Sequence, residues 1–219
     1  MDFSRSLFYW LFGLLSTVVA VIASYLELDR PVALWVHYHL RRPHRGVINQ
    51  LAHIPDPIVL FAIAVFLLLG LQTLLGRSLS KHRAAAFVCS VSVIFTETIK
   101  DLLKFFFGRT WPETWTENNP SFINNGVYGF HFMHGGKAYQ SFPSGHMAAT
   151  CAVIAVLWIA YPRFRWLYVI IVILAGAGLV GMNYHFLSDI IGGAFVGVST
   201  SWMVMAIWDA SNRNSNTHC

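Results

Sequence analysis

The sequence predicts an all-α integral membrane protein, with six transmembrane helices and an amphipathic surface helix after the first. Of its 219 residues, 56% are hydrophobic and only 11% are charged, whereas charged residues make up about 25% of an average soluble domain. The hydrophobic residues also fall into six long runs, each close to the roughly 17–25 residues that a helix needs to cross a bilayer. The length accommodates one membrane domain spanning residues 1–219.

The six predicted spans lie at residues 7–26, 57–76, 84–107, 146–161, 166–184 and 189–208. Helices are expected because a segment inside the bilayer has to satisfy its own backbone hydrogen bonds. The first run is longer than the apolar core of a signal peptide, about 7–15 residues, so we expect it to remain as an anchor. Small residues crowd the last two spans, in AGAGLVG and GGAFVG, which favours close helix packing.

Residues 27–56, between the first two spans, are predicted to form the amphipathic surface helix. The segment combines apolar and basic positions, a composition typical of helices that rest on lipid headgroups. Its apolar residues are Leu34, Trp35, Val36, Leu40, Val47, Ile48 and Leu51, and its basic residues are Arg30, Arg41, Arg42 and Arg45.

Basic residues in the short turns predict the orientation in the membrane. With six spans, both termini and the turns GRSLSKHR and PRFR lie on one side, and short basic turns are typically cytoplasmic. The arginines of residues 27–56 fall on the opposite side, so the prediction depends on the short turns. The net charge of +5 then favours anionic lipid heads over nucleic acid as the partner. The sequence does not indicate an oligomeric state.

The cysteine pattern predicts neither a disulfide framework nor a zinc site. Cys89, Cys151 and Cys219 are odd in number and form no CxxC motif. We expect the protein to use no metal and no other cofactor.

A first polar cluster interrupts the third span, in TETIKDLLKFFFGRTWPETW. Glu97, Lys100, Asp101 and Lys104 recur three or four residues apart, which is helical spacing. Charges at this depth are costly unless they are paired or functional. An ion-pair ladder, Glu97 with Lys100 and Asp101 with Lys104, is one interpretation, and a functional role for Lys104 is the other.

A second polar cluster, SFPSGHM, opens the fourth span. Pro143 and Gly145 favour a turn, and Ser144 is a good helix N-cap. The free N–H groups and positive dipole at such a helix start form a seat for phosphate. His146 stands in the first turn, where it can donate a proton. The alternative is a capped helix with an interfacial histidine.

The third cluster, NYHFLSDIIGG, places His185 four residues before Asp189. In a helix the two share a face, so Asp189 can hold one ring nitrogen and leave the other as nucleophile or base. An interfacial polar pair is the alternative. With six spans, all three clusters fall on the same non-cytoplasmic side, which predicts one shared phosphate site at the outer interface.

These motifs, in this order, resemble the type-2 phosphatidic acid phosphatase superfamily, over roughly residues 84–208. The family pattern is Lys-x6-Arg-Pro, Pro-Ser-Gly-His and Arg-x5-His-x3-Asp. The resemblance implies a six-helix membrane core and metal-independent phosphoryl transfer through a phospho-histidine. It implies that Lys104, Ser144 and the Gly145 amide bind phosphate, that His146 protonates the leaving oxygen, and that His185 is the nucleophile oriented by Asp189. Pro112 matches the proline of the first motif.

Two arginines of the family pattern are replaced in this chain, by Trp111 and by Leu179. Since each would neutralise phosphate oxygens, and one transition-state donor is worth about 10²–10³ in rate, we expect nearby cations to compensate. Arg109 is the first candidate because its planar guanidinium can grip two oxygens. Further candidates in the following loop are Lys137, His131 and His134.

The expected function is hydrolysis of a lipid-linked phosphate or diphosphate on the periplasmic side of a bacterial inner membrane. A site with fewer cations also suits a phosphodiester, so headgroup transfer between lipids is an alternative. Sphingomyelin synthases are similar in keeping chiefly the two histidines and the aspartate. A third hypothesis is that the protein binds a lipid phosphate without turning it over.

The loop at residues 108–145 is expected to form an ordered cover at the interface. Long segments of this kind are often functional lids, although packing against the helix ends is an equal alternative. Its many aromatic residues argue against disorder: Phe122, Tyr128, Phe130, Phe132, Tyr139 and Phe142.

Overall fold

The computed structural model describes residues 3–40, 45–53, 55–115 and 118–217, and its regular structure is helical. The helices are α1 (Phe3–Ala23), α2 (Asp29–His39), α3 (Arg45–Ala52), α4 (Asp56–Leu74), α5 (Lys81–Phe107), α6 (Phe122–Asn125), α7 (Gly145–Ala160), α8 (Arg165–Gly181) and α9 (Leu187–Thr217). A π-helical turn, Ser24–Leu28, joins α1 directly to α2.

The predicted all-α membrane class is confirmed. Within the described ranges, four stretches are long and apolar enough to cross a bilayer, and they contain α1 with α2, α3 with α4, α8, and α9. The helix α7 is apolar but shorter, and α5 carries the charged cluster near its end. All six predicted spans are therefore helical, while their number as membrane crossings stays a prediction.

The segment predicted as one surface helix is divided between α2 and α3, and residues 41–44 and 54, including Arg41 and Arg42, lie outside the described part. One face of α2 is buried within the protein, because Asp29, Ala33 and Val36 are almost fully covered, whereas Trp35 is 55% exposed. The prediction missed this inward face, because basic and apolar residues alone do not show which side a neighbouring helix covers.

Helix α7 lies at the centre of the fold and packs against α9, α5 and α8. The close approach of α9 depends on glycine. A Cβ atom at Gly193 would overlap the Ser144 carbonyl oxygen, and one at Gly197 would overlap the Ala148 carbonyl oxygen. Since Ser144 caps α7, these glycines bring the start of α9 beside the start of α7, where the second and third motifs stand.

The loop after α5 packs against the end of that helix over its described residues, and its role as a cover stays a prediction. Gly108 ends α5 in the left-handed region, with φ of 55°, and its carbonyl accepts a hydrogen bond from the His131 amide at 2.9 Å. Isolated backbone bridges join Arg109 to Phe130 and to Gln140. The loop thus folds back over the end of α5 and places Arg109 beneath it.

Replacing Gly197 by alanine is expected to destabilise the protein by about 1–3 kcal/mol, because the added methyl group would push α9 away from α7. Gly46→Ala in α3 is the matched control, since a Cβ there meets nothing within 4 Å. Thermal unfolding in detergent measures both. Equal melting temperatures for the two variants would contradict the packing argument.

Candidate active site

The three predicted clusters meet at one cavity of about 710 Å³. Lys104, Gly145, His146 and His185 line it. The ring centroids of His146 and His185 are 6.5 Å apart, although the two residues belong to different helix starts. Ser144 and Asp189 are completely buried directly behind the lining. The structure therefore brings together six of the seven predicted site residues.

His185 lies in the turn between α8 and α9, not on a helix face shared with Asp189 as the spacing suggested. Asp189 stands in the first turn of α9, where its Oδ2 accepts the Phe186 amide at 2.9 Å and caps the helix. The same oxygen lies 3.5 Å from Nδ1 of His185. With Nδ1 facing the carboxylate, Nε2 is the ring nitrogen left for chemistry.

Burial lowers the pKa of the His185 imidazole below its ordinary value, and the positive charge of Lys104 acts in the same direction. The Asp189 carboxylate opposes this shift without cancelling it. The neutral ring, which is the nucleophilic form, is therefore favoured.

Arg109 holds Asp189 in place. One terminal nitrogen of Arg109 donates to Asp189 Oδ1 at 2.6 Å, and the other donates to Asp29 Oδ2 at 2.6 Å. Ser141 donates to the second Asp189 oxygen at 2.6 Å. Burial alone would lower the pKa of Arg109, but the two carboxylates raise it above its ordinary value, so the guanidinium stays charged.

The expected phosphate-binding role of Arg109 is not supported by its position. Its side chain is 0% exposed, it does not line the cavity, and both terminal nitrogens are committed to carboxylates. The partner Asp29 was missed in the sequence, because it comes from α2, 80 residues away. Its one sequence signal is that it is one of two acidic residues, with Glu27, at the end of the first apolar run.

The start of α7 has the capped geometry predicted for an anion seat, and phosphate binding there stays a prediction. Ser144 is the N-cap, and its hydroxyl accepts the Met147 amide at 3.4 Å. The Ser144 amide donates to the Asp189 carbonyl at 3.0 Å, which ties the second motif to the third. Gly145 is the first residue of α7, so its amide is among the free donors of the helix start.

The charged cluster of α5 is only partly a ladder. Lys100 pairs with Glu97 at 2.6 Å and with Asp101 at 3.1 Å. Asp101 therefore forms its ion pair with Lys100 and not with Lys104, as the ladder interpretation expected. The Lys100 chain also lies against Gly145, because a Cβ built there would be 2.9 Å from Lys100 Cδ and 3.6 Å from its Nζ. A second lysine thus stands at the anion seat.

The two positions where the family pattern has arginine differ in their surroundings. Trp111 lines the cavity, with its ring centroid 5.2 Å from that of His185. Its indole N–H donates to the Lys137 carbonyl at 2.9 Å, and Lys137 also lines the cavity. Leu179 is fully buried in the hydrophobic cluster around Met147.

The other two cations proposed as compensation, His131 and His134, lie away from the cavity lining. Both rings pack against Tyr139, with centroid distances of 5.1 and 4.0 Å. Over the described residues, no group of three His, Cys, Asp or Glu side chains is placed to hold a metal ion.

Two cavity residues were missed by the sequence reasoning. Asp56, in the first turn of α4, has Oδ1 2.9 Å from Nε2 of His146. His53 lies 2.8 Å from the other oxygen of Asp56. Both belong to residues 27–56, the segment predicted to be a surface helix. Nothing in the local sequence indicates that Asp56 contacts His146, 90 residues away.

Comparisons with known proteins agree with the motifs. A family model described as the PAP2 superfamily matches residues 85–213. The chain is 28% identical over 200 residues to a protein named lipid A 1-phosphatase from Rhizobium etli, which covers 86% of this chain and 80% of the relative. A protein of the same name from Rhizobium johnstonii is 29% identical over 117 residues, 53% of this chain and 45% of the relative.

A solved structure shares the fold. It is a transmembrane phosphatidylglycerolphosphate phosphatase of the PAP2 type from Bacillus subtilis, and the two chains superpose with a TM-score of 0.53 at 15% identity. The alignment covers 92% of this chain and 96% of the other.

Replacing Arg109 by alanine is expected to destabilise the fold by about 3–5 kcal/mol, because it leaves two buried carboxylates without a counter-charge. Lys137→Ala, at the cavity wall, is the control and should leave the unfolding temperature unchanged. Thermal unfolding in detergent separates the two. A stable Arg109→Ala protein with only a raised KM would restore the phosphate-binding role.

Proposed function

This chain belongs to the PAP2 superfamily, and we propose that it is a membrane phosphatase that hydrolyses a lipid-linked phosphate or diphosphate through a phospho-histidine intermediate. One observation carries this proposal. Two imidazoles from different helix starts face one cavity with their centroids 6.5 Å apart, beside a helix N-terminus and a lysine. That set contains a nucleophile, a proton donor and an anion seat.

The reaction has two steps. His185 attacks phosphorus through Nε2, the N–P bond forms, and the bond to the leaving oxygen breaks as His146 gives that oxygen a proton. Water then attacks the phospho-histidine, and His146 takes the proton that the water loses. The N–P bond breaks, phosphate is released, and both imidazoles return to their starting states. Asp189 stabilises the charge that His185 acquires.

Lys104 and the Gly145 amide hold the phosphate oxygens in this proposal, while the buried Ser144 caps the helix whose start forms the seat. In place of the arginines, Lys100 and Lys137 add positive charge, because both line the cavity and Lys100 lies against Gly145. A lysine is a single point charge without the bidentate fork of arginine. The oxygens are therefore held chiefly by the helix start, with the lysines around it.

A phosphorylated sugar lipid is our first candidate substrate, as the names of the Rhizobium relatives suggest. The cavity is larger than a phosphate group requires, and its wall mixes aromatic and amide side chains. Flat aromatic rings pack against the C–H faces of a sugar, while amides bind its hydroxyl groups. The wall residues of this kind are Trp111, Trp115, Tyr184, Asn119 and Gln140.

Headgroup transfer between lipids is the second candidate, and Trp111 favours it. This residue puts an aromatic ring beside His185 where the family pattern has a cation, which suits a less charged phosphodiester. Phosphorus NMR of the products, with and without an acceptor lipid, distinguishes hydrolysis from transfer.

We place the reaction on the periplasmic side of an inner membrane, because the short basic turns are expected to be cytoplasmic.

Replacing His185 by alanine is expected to lower phosphate release by about 10⁴-fold or more, because the nucleophile is lost. His134→Ala is the matched control, since that ring packs on Tyr139 outside the cavity lining. The assay is phosphate release from a panel of lipid phosphates, including a sugar lipid phosphate and phosphatidate. Full activity of His185→Ala on every substrate that the unaltered protein cleaves would refute the mechanism.

We expect the fall in kcat/KM at acid pH to lie below about pH 6.5. An ordinary histidine has a pKa of about 6.5, and the pKa of His185 is shifted below that value. Burial lowers the pKa of His185, so its neutral, attacking form persists into more acid solution, and activity falls only when the ring is protonated. The profile is measured on an activated aryl phosphate, which needs no proton on its leaving group. An acid limb clearly above pH 6.5 on that substrate would contradict this assignment.

A further inference from the structure

His146, the proposed proton donor, is paired with a carboxylate from another part of the chain. Its Nε2 lies 2.9 Å from Oδ1 of Asp56. Asp56 opens α4 and stands 90 residues before His146 in sequence. Neither the three motifs nor the residues matched by the family model include this carboxylate, since the match begins at residue 85.

Two features favour this position of Asp56. Its second oxygen lies 2.8 Å from Nδ1 of His53, so both oxygens have partners and rotation of the group is restricted. Its place in the first turn of α4 favours negative charge, because the helix dipole is positive there. All three side chains line the same cavity.

The pair also determines which nitrogen of His146 can act. Because Asp56 is a hydrogen-bond acceptor, it favours the ring form that carries a proton on Nε2. Nδ1 is then the nitrogen that gives its proton to the leaving oxygen. After that step the ring is neutral, still protonated on Nε2, and the Nδ1 lone pair is ready to accept the proton from water.

We propose that Asp56 is a positioning residue for the leaving-group acid His146, and that His53 fixes the carboxylate of Asp56. The site then contains two imidazole–carboxylate pairs with different surroundings. Asp189 is fully buried beside the nucleophile, whereas His146 and Asp56 are 40% and 48% exposed. The partly exposed pair exchanges protons with water readily, and the buried pair holds its ring in one orientation. This inference rests on the proposed function.

The test compares two leaving groups. An alkyl lipid phosphate needs a proton on its leaving oxygen, and a nitrophenyl phosphate does not. Asp56→Asn is expected to lower kcat/KM on the alkyl substrate by about 10²-fold, within the range that general acid catalysis contributes. On the nitrophenyl substrate kcat/KM should fall far less, because kcat/KM covers the steps up to departure of the leaving group and not the later attack of water, which also uses His146. His146→Ala should likewise slow the alkyl substrate more than the nitrophenyl substrate, and His53→Ala should do so to a smaller extent. Asp56→Glu, which keeps a carboxylate, should recover part of the activity that Asp56→Asn loses on the alkyl substrate.

Lys104→Ala is the contrast, because loss of a phosphate-binding cation should slow both substrates. If Asp56→Asn slows both equally, or neither, the positioning role is overturned, and a shared loss with a lowered melting temperature identifies a structural tie between α4 and α7. Absence of turnover by the unaltered protein on both substrates would instead overturn the proposed function. The two failures are therefore distinguishable.

Discussion

The buried guanidinium of Arg109 between Asp29 and Asp189 is the interaction on which the rest of the site depends. Three charges without solvent contact are stable only when each is paired, and here one cation serves two carboxylates at 2.6 Å each. Asp29 ties α2 to this interaction, and Asp189 ties in α9 and contacts His185. The orientation of His185, the proposed nucleophile, is therefore set by a residue that does not line the cavity.

Aromatic rings complete the surroundings of this guanidinium. Its central carbon lies 4.4 Å from the ring centroid of Phe186 and 4.8 Å from that of Phe130, with Tyr25 and Tyr128 at 5.3 and 5.5 Å. Such contacts stabilise a desolvated cation by about 2 kcal/mol. Because Phe130 and Tyr128 belong to the loop after α5, ordering of this loop and positioning of the Asp189 carboxylate are coupled.

Local signals allowed much of the site to be predicted, and partners distant in sequence account for the errors. The apolar runs identified the helices, and Ser144 followed by Gly145 and His146 identified a capped helix start, because capping depends on neighbouring residues. Arg109 was assigned to phosphate because its acceptors are 80 residues away on either side. Asp56 was missed for the same reason, and α2 was expected on the lipid surface because its buried face has no local signature.

The charges around the cavity bear on how such a site gains specificity. Lys100 is already paired with Glu97 and Asp101. These two carboxylates offset part of its positive charge and weaken its attraction for phosphate. In the proposed reaction, Lys104 and the helix start then provide most of the binding of the phosphate. When the reacting group is held less tightly, the rest of the substrate has to supply more of the binding energy that positions it for reaction. For the proposed reaction, the aromatic and amide wall that includes Trp111 and Trp115 is the surface able to do so, and we expect the headgroup next to the phosphate to determine substrate choice.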